Sequence, residues 1–449
     1  MLYLVCISME RRVSGVKIKG KTAMKIETKD LGGGVQLGVI RTEKFKNDFF
    51  GLTFVLPRNE KTVALVGMLA NVLKRGTANY PTFKELSRRL SELYDVSVNV
   101  YEQGADAVLL FRISVGFIDD KFIPGNAEES VCKGAMDCIR EFLFHPLTEN
   151  GAFKTEYVES ERTRRIDRIR SEINNKDSYA FNRAMRLACE GTPISFSPNG
   201  TVDTVNAVTA AELCQTLEYI VTSCRAEAVF AGHYTAENEK QITALLSELA
   251  GKRSALPQSI AENCAVKPFD GKEIVETVTA KQGRMVLTYR VPKTKNGDMS
   301  LSVFTEIFGA SPVSRLFMNV RERLSLCYYC SATAIKDASL IVVRSGLDKA
   351  NREKAIAEIN AQLADLAKPE NIDDDEMEAA KRSLLSMLRG VGDSTLAYSS
   401  WYIQRRLKGA GTDLDAAMEA VKAVAKEDVA RIAAGASLHL NYFLDGTER

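Results

Sequence analysis

Histidine is scarce in this chain of 449 residues, occurring only at His145, His233 and His439. No two of them stand at the helical spacing with which a pair of imidazoles grips a metal ion. Long hydrophobic runs are missing too. Residues 1–8 are apolar, but no basic segment precedes them, and Glu10, Arg11 and Arg12 follow too soon for a signal peptide or a span. Nothing later is long enough to cross a bilayer, so no membrane is expected. An excess of one charge is also absent: 60 Lys and Arg face 58 Asp and Glu, a formal balance of +2. With no basic block interleaved with aromatics, nucleic acid is excluded as a partner. The nine cysteines are odd in number and lack the spacing of a disulfide framework, which points to a reducing compartment and a cytoplasmic location. Only Cys327-Tyr-Tyr-Cys330 has redox or metal spacing. No second cysteine pair or nearby histidine completes a zinc site, and both thiols read as buried strand cysteines.

What is present is a globular composition, 45% hydrophobic and 26% charged, in a chain long enough for two to four domains. Residues 35–55 alternate as two half-buried strands do. Gly32-Gly33-Gly34 stands ahead of the first of them, which makes it a turn and not a phosphate loop. A helix over 62–74 stops at Arg75-Gly76 before Pro81. The next opens on a capping box, Thr82 with Glu85. A hairpin over 94–101 and 107–115 and a helix over 128–144 follow. The helix over 153–173 is so charged that it reads as solvated and salt-bridged. Helices over 178–189 and 210–220 and a strand over 226–231 close this half.

Residues 252–272 lack periodicity and contain Pro257 and Pro268, as a linker does. Beyond them the order recurs: a strand over 284–291, helices over 298–308 and 314–322, strands over 328–335 and 339–345, and a helix over 351–366. Further helices over 374–388, 394–407 and 426–433 lead to a last strand over 437–443. Residues 93–97 mirror 326–330. The fold class expected is therefore α+β: two tandem repeats, each a largely antiparallel sheet with helices packed on one face. The expected division is an N-terminal extension over 1–23, since Met24 opens the alternation, a first domain over 24–250, a linker over 251–272 and a second domain over 273–449.

The segment Arg321-Glu-Arg-Leu-Ser-Leu-Cys-Tyr328 sets a guanidinium and a phenol at fixed spacing where a helix runs into a strand. A planar fork of donors and a hydroxyl together suit a polarised peptide oxygen. On residue types alone, the bland reading is a solvated Arg and a packing Tyr.

Five landmarks in order resolve this choice: Phe45-Lys46-Asn47, Arg75-Gly76-Thr77 with Tyr80-Pro81, Leu93-Tyr94, His145-Pro146-Leu147 with Phe153, and Arg321-Glu322-Arg323 with Leu326-Cys327-Tyr328. From about Leu37 onward the chain resembles the M16 (pitrilysin-like, mitochondrial-processing-peptidase-like) family of metallopeptidases. Active members carry H-x-x-E-H on the first long helix, two zinc ligands and a general base. The resemblance puts Gly67, Ala70 and Asn71 at those positions, so both ligands and the base are lost. Glu161 matches the family's distant carboxylate ligand, and it reads as structural because one carboxylate does not hold zinc. No cofactor or metal is expected on this chain.

In heterodimeric relatives one subunit brings zinc and the other an Arg and a Tyr that hold the substrate. Arg321 and Tyr328 match that pair. The resemblance thus implies a catalytically inactive homologue, the non-catalytic subunit of a zinc peptidase, with a zinc-bearing M16 partner and a peptide or small-protein substrate. It extends to zinc-less bacterial homologues associated with 5-aminopentanol modification of elongation factor P. Two alternatives stay open, a peptide-binding scaffold with no hydrolytic partner and an independent thiol enzyme using Cys327 or Cys330, as does a homodimer in isolation.

Overall fold

A computed structural model describes residues 26–123, 125, 129–254, 264–267, 271–295 and 297–447. The expected extension over 1–23 and much of the expected linker lie outside the described residues.

Alternating apolar residues lay the chain into two sheets. In the first half the strands are β1 (Ile26–Asp30), β2 (Val35–Arg41), β3 (Asn47–Pro57), β4 (Ser97–Ala105), β5 (Val108–Ile118), a short pair β6 (Thr148–Glu149) and β7 (Ala152–Phe153), and β8 (Arg225–Gly232). All but the short pair form a sheet ordered β1-β2-β8-β3-β5-β4. The three glycines, read as a turn ahead of the first strand, join β1 to β2 with φ of 81°, 59° and 75°. The second half supplies β9 (Lys272–Thr279), β10 (Gly283–Arg290), β11 (Tyr329–Ile335), β12 (Leu340–Leu347) and β13 (Ser437–Thr447), ordered β11-β12-β10-β13-β9. Pairing is antiparallel in both sheets except at β2 with β8 and β9 with β13. These parallel pairs occupy the same place in the two sheets, so each half repeats the other strand for strand, with β1 added in the first. The strand β9 carried no recognised signal in the sequence.

The helices are α1 (Glu60–Leu73), α2 (Phe83–Glu92), α3 (Val131–Phe144), α4 (Thr155–Ser171), α5 (Lys176–Ala188), α6 (Val202–Asn206), α7 (Ala210–Ser223) and α8 (Ala236–Gly251) in the first half. The second holds α9 (Ser300–Thr305), α10 (Arg352–Leu366), α11 (Asp374–Val391), α12 (Thr395–Leu407), α13 (Leu414–Ala423) and α14 (Lys426–Ala434). Phe50, Leu52, Phe54 and Leu56 on β3 point to one face, where α1, α3, α7 and α8 cover them in the main core of the first half. The corresponding face of the second sheet packs against α9, α10, α11 and α14.

The reverse faces are covered reciprocally. From the first half, α5 lays Ala180, Ala184 and Met185 on Val286, Val342 and Tyr442 of the second sheet. From the second half, α12 lays Tyr398, Tyr402 and Ile403 on Ile40, Phe49 and Val229 of the first. Gly38 is what lets α12 dock, because a Cβ there would stand 2.4 Å from the Tyr402 ring. Each half is thus sealed by a helix from the other, which ties them into one body.

Polar contacts reinforce that tie. Lys408, just past α12, donates to Asp106 at the β4–β5 turn (2.7 Å) and to Asp337 at the β11–β12 turn (3.0 Å). Burial and the adjacent Asp106 carboxylate push the Asp337 carboxyl up to about 6 from 3.8. With a raised pKa, this group's stabilising contribution is complete below the ordinary carboxylate value and lost as pH rises through about 6. Lys408→Met leaves the two carboxylates facing each other. Urea unfolding should show a loss of about 1–2 kcal/mol near pH 8, shrinking near pH 5 where Asp337 holds its proton.

Candidate functional site

Asn59 caps α1 by accepting from the Thr62 amide at 2.9 Å, and the helix turns Val63, Gly67 and Ala70 inward. Ala70 is fully buried and Asn71 half-buried. The facing helix, α4, was read as solvated from its charge. On one face that is corrected, since Val158, Glu161 and Arg165 are all buried. What resolves the apparent conflict is local pairing of each charge.

Glu161 accepts from Arg75 Nε at 2.8 Å and from a second nitrogen of the same guanidinium, and Arg164 stands at 3.3 Å. Arg75 also donates to Ser160 Oγ at 3.0 Å. The Arg75-Gly76-Thr77 landmark continues as an anchor: Thr77 and Asn79 each donate to Glu141 on α3 at 2.8 Å. The loop after α1 is therefore held on both sides by buried carboxylates.

Arg165 is the residue that the sequence reading missed. Its side chain is 1% exposed, and its guanidinium donates to Glu102 Oε1 (2.9 Å), to the Asn199 carbonyl (2.9 Å), and to those of Pro198 (3.2 Å) and Val63 (3.3 Å). The group lies directly against Gly67, where a Cβ would come within 2.1 Å of Nη1. A signal for it did exist in the sequence. Arg165 follows Glu161 by one helical turn and so shares its face.

Zinc does not fit these residues. Gly67 and Ala70 offer no side-chain donor, the Glu161 carboxylate is committed to arginines, and a guanidinium fills the space beside Gly67. Among the described residues no group of three or more His, Cys, Asp or Glu is placed to hold a metal ion.

The second constellation lies at the start of β11. The segment Leu316–Arg323, expected as an α-helix, is π-helical, and the Leu324 amide reaches back to the Asn319 carbonyl at 3.2 Å. Ser325 turns the chain at φ 49°, and the Leu326 amide bonds the Val320 carbonyl at 3.0 Å. Tyr94 and Asp95, both at φ 59°, make the matching turn before β4. Arg321 lies over the Phe317 ring at 4.7 Å, with Glu322 at 3.4 Å and a side chain 41% exposed. Tyr328 is 52% exposed, and its hydroxyl stands 3.3 Å from Asp348 Oδ2. Both side chains are presented to solvent from a hydrogen-bonded junction, with only long local contacts. Cys330 is buried in β11, but Cys327 precedes the strand and is half-buried, which corrects its reading as a buried strand residue. The Cys330 thiol, then Ser345 and Arg321, bring the Cys327 thiol down to about 7.

Removing the one carboxylate that faces Arg165 would leave a buried, unpaired cation. Glu102→Ala should lower the unfolding free energy by about 3 kcal/mol, measured by denaturant titration.

Comparison with known proteins places this geometry. Residues 207–384 match the model of the Peptidase M16 inactive domain. Over 426 residues, the chain is 25% identical to the probable inactive metalloprotease YmfF of Bacillus subtilis (strain 168), covering 94% of this chain and 98% of that one. A crystal structure of a conserved protein from Enterococcus faecalis V583 superposes with a TM-score of 0.81 at 25% identity, over 94% of this chain and 99% of the other. A protease from Helicobacter pylori shares the fold, with a TM-score of 0.76 at 15% identity, over 94% of this chain and all of the other. With its paired sheets, an α1 that lacks H-x-x-E-H and these relatives, the chain is similar to inactive metallopeptidase homologues of the M16 family.

Proposed function

We propose that this chain is the non-catalytic subunit of a heterodimeric zinc peptidase, presenting Arg321 and Tyr328 to a peptide held at a zinc-bearing M16 partner. The observation that carries the reading is the contrast between the two constellations. The α1–α4 junction is closed by internal ion pairs, whereas Arg321 and Tyr328 stand half-exposed at a structured turn with little to hold them locally.

The chemistry follows from the two side chains. A carbonyl oxygen gains negative charge as its carbon becomes tetrahedral, and a phenol and a guanidinium already aimed at that oxygen stabilise it without reorganisation. Asp348 accepts from the Tyr328 hydroxyl and thereby biases its orientation before substrate arrives. Arg321, stacked on Phe317, is supported on one ring face and free to donate from its edge. Substrate in extended form can pair with the edge strand β11, which has a neighbour on one side only.

The reading includes a cytoplasmic setting, and the family resemblance extends it to a link with elongation factor P modification. It is tested on the assembled pair. Arg321→Ala and Tyr328→Phe should each lower peptide turnover by about 10²–10³ while the two subunits still co-elute. Parental turnover by both variants would refute the assigned roles, and capture of intact peptide with no hydrolysis by any partner would favour a scaffold instead.

A further inference from the structure

Absence of zinc ligands explains why this chain would bind metal poorly, but it does not explain why a charged side chain lies against Gly67. A buried cation is costly, and an ordinary degenerate site would fill with apolar side chains or water. Here the interior is arranged around a guanidinium. Three carbonyls and one carboxylate converge on Arg165 from α1, β4 and the 198–199 loop, using its Nε, Nη1 and Nη2 together.

We infer that the Arg165 guanidinium is a built-in substitute for a metal ion: it fills the space beside Gly67, joins α1, α4 and β4, and bars a divalent cation from the Glu161 pocket. Volume is the first support. The space that a side chain at position 67 would need is already taken, with both terminal guanidinium nitrogens within 2.2 Å of an added Cβ. Charge is the second. Lys74, Arg75, Arg164 and Arg165 meet Glu102 and Glu161 here, four cations to two carboxylates, so the cluster is already net positive before any metal arrives. Burial holds the Lys74 ammonium below its usual range even though Glu102 and Glu161 pull it the other way.

The third support is the commitment of Glu161. Its release would strand Arg75, whose guanidinium also fixes the loop after α1 through Ser160. A cross-link between helices that a metal could supply is thus supplied by two arginines, one from each side of the junction. The Gly67 position and Arg165 are mutually dependent: glycine is required because the arginine is there, and the arginine is stable because nothing projects from position 67.

A double-substitution cycle reads that dependence directly. Gly67→Ala with Arg165 intact should raise the unfolding equilibrium constant about tenfold or more, and in an Arg165→Leu background it should cost little. Equal cost in both backgrounds would overturn the inference. Zinc uptake gives an independent readout. Gly67→His, Ala70→Glu and Asn71→His together should retain no zinc after gel filtration. Adding Arg165→Leu and Arg75→Leu should give about one zinc per chain and a thermal midpoint that rises with zinc. Stoichiometric zinc in the triple variant with both arginines in place would refute the proposal. Should the fivefold variant not fold, the cycle alone decides.

Discussion

A guanidinium sealed from water must have its charge matched and its donors used, and Arg165 meets that demand at the cost of every other use of its surroundings. Glu102 is drawn from the edge strand β4, the Val63 carbonyl from α1, and two carbonyls from the loop that precedes α6. With these groups occupied, the junction between α1 and α4 has the character of a structural core. Charge and volume at this place are both assigned to the chain's own side chains.

The two halves therefore differ in what they expose, although their sheets repeat strand for strand. In the first, the buried polar groups point inward and are used up in pairing with one another. In the second, the π-helical segment before β11 turns Arg321 and Tyr328 outward. The reciprocal docking of α5 and α12 makes this asymmetry possible within one rigid frame, because each half supplies a wall of the other and neither can move independently without exposing apolar surface. Lys408 adds a polar lock where the two hairpin turns meet.

Much of the frame was legible in the residues. Alternation between positions 35 and 55 located β2 and β3, the Thr82–Glu85 box located the start of α2, and the repeated order of elements announced two sheets. The family landmarks led to Gly67, Ala70 and Asn71, and to Arg321 and Tyr328. The sequence was silent on which sheet α5 and α12 would cover, because an amphipathic helix declares that it has an apolar face and not what that face meets. It misled at α4, where arginines outnumber apolar residues. Burial of Arg165 among them depends on a glycine nearly a hundred positions earlier, a pairing that no local window contains. The π-helical geometry before β11 was hidden for a related reason, since its wider turn leaves the apolar spacing of 316–323 close to that of an α-helix. The strand β9 and the helices α8 and α13 also went unread, although Ile242, Leu245, Leu246 and Leu249 of α8 recur at helical spacing.

On the proposed reading, this chain grips peptide through Arg321 and Tyr328 while its metal position is closed by its own cations. The most direct measurement is metal content and peptide hydrolysis of the natural chain after saturation with zinc and removal of free metal. The natural chain should retain no zinc and cleave nothing alone, with cleavage emerging only on addition of a zinc-bearing M16 subunit. About one zinc per chain bound at the Gly67–Asn71 turn, together with hydrolysis by the isolated polypeptide, would contradict that reading.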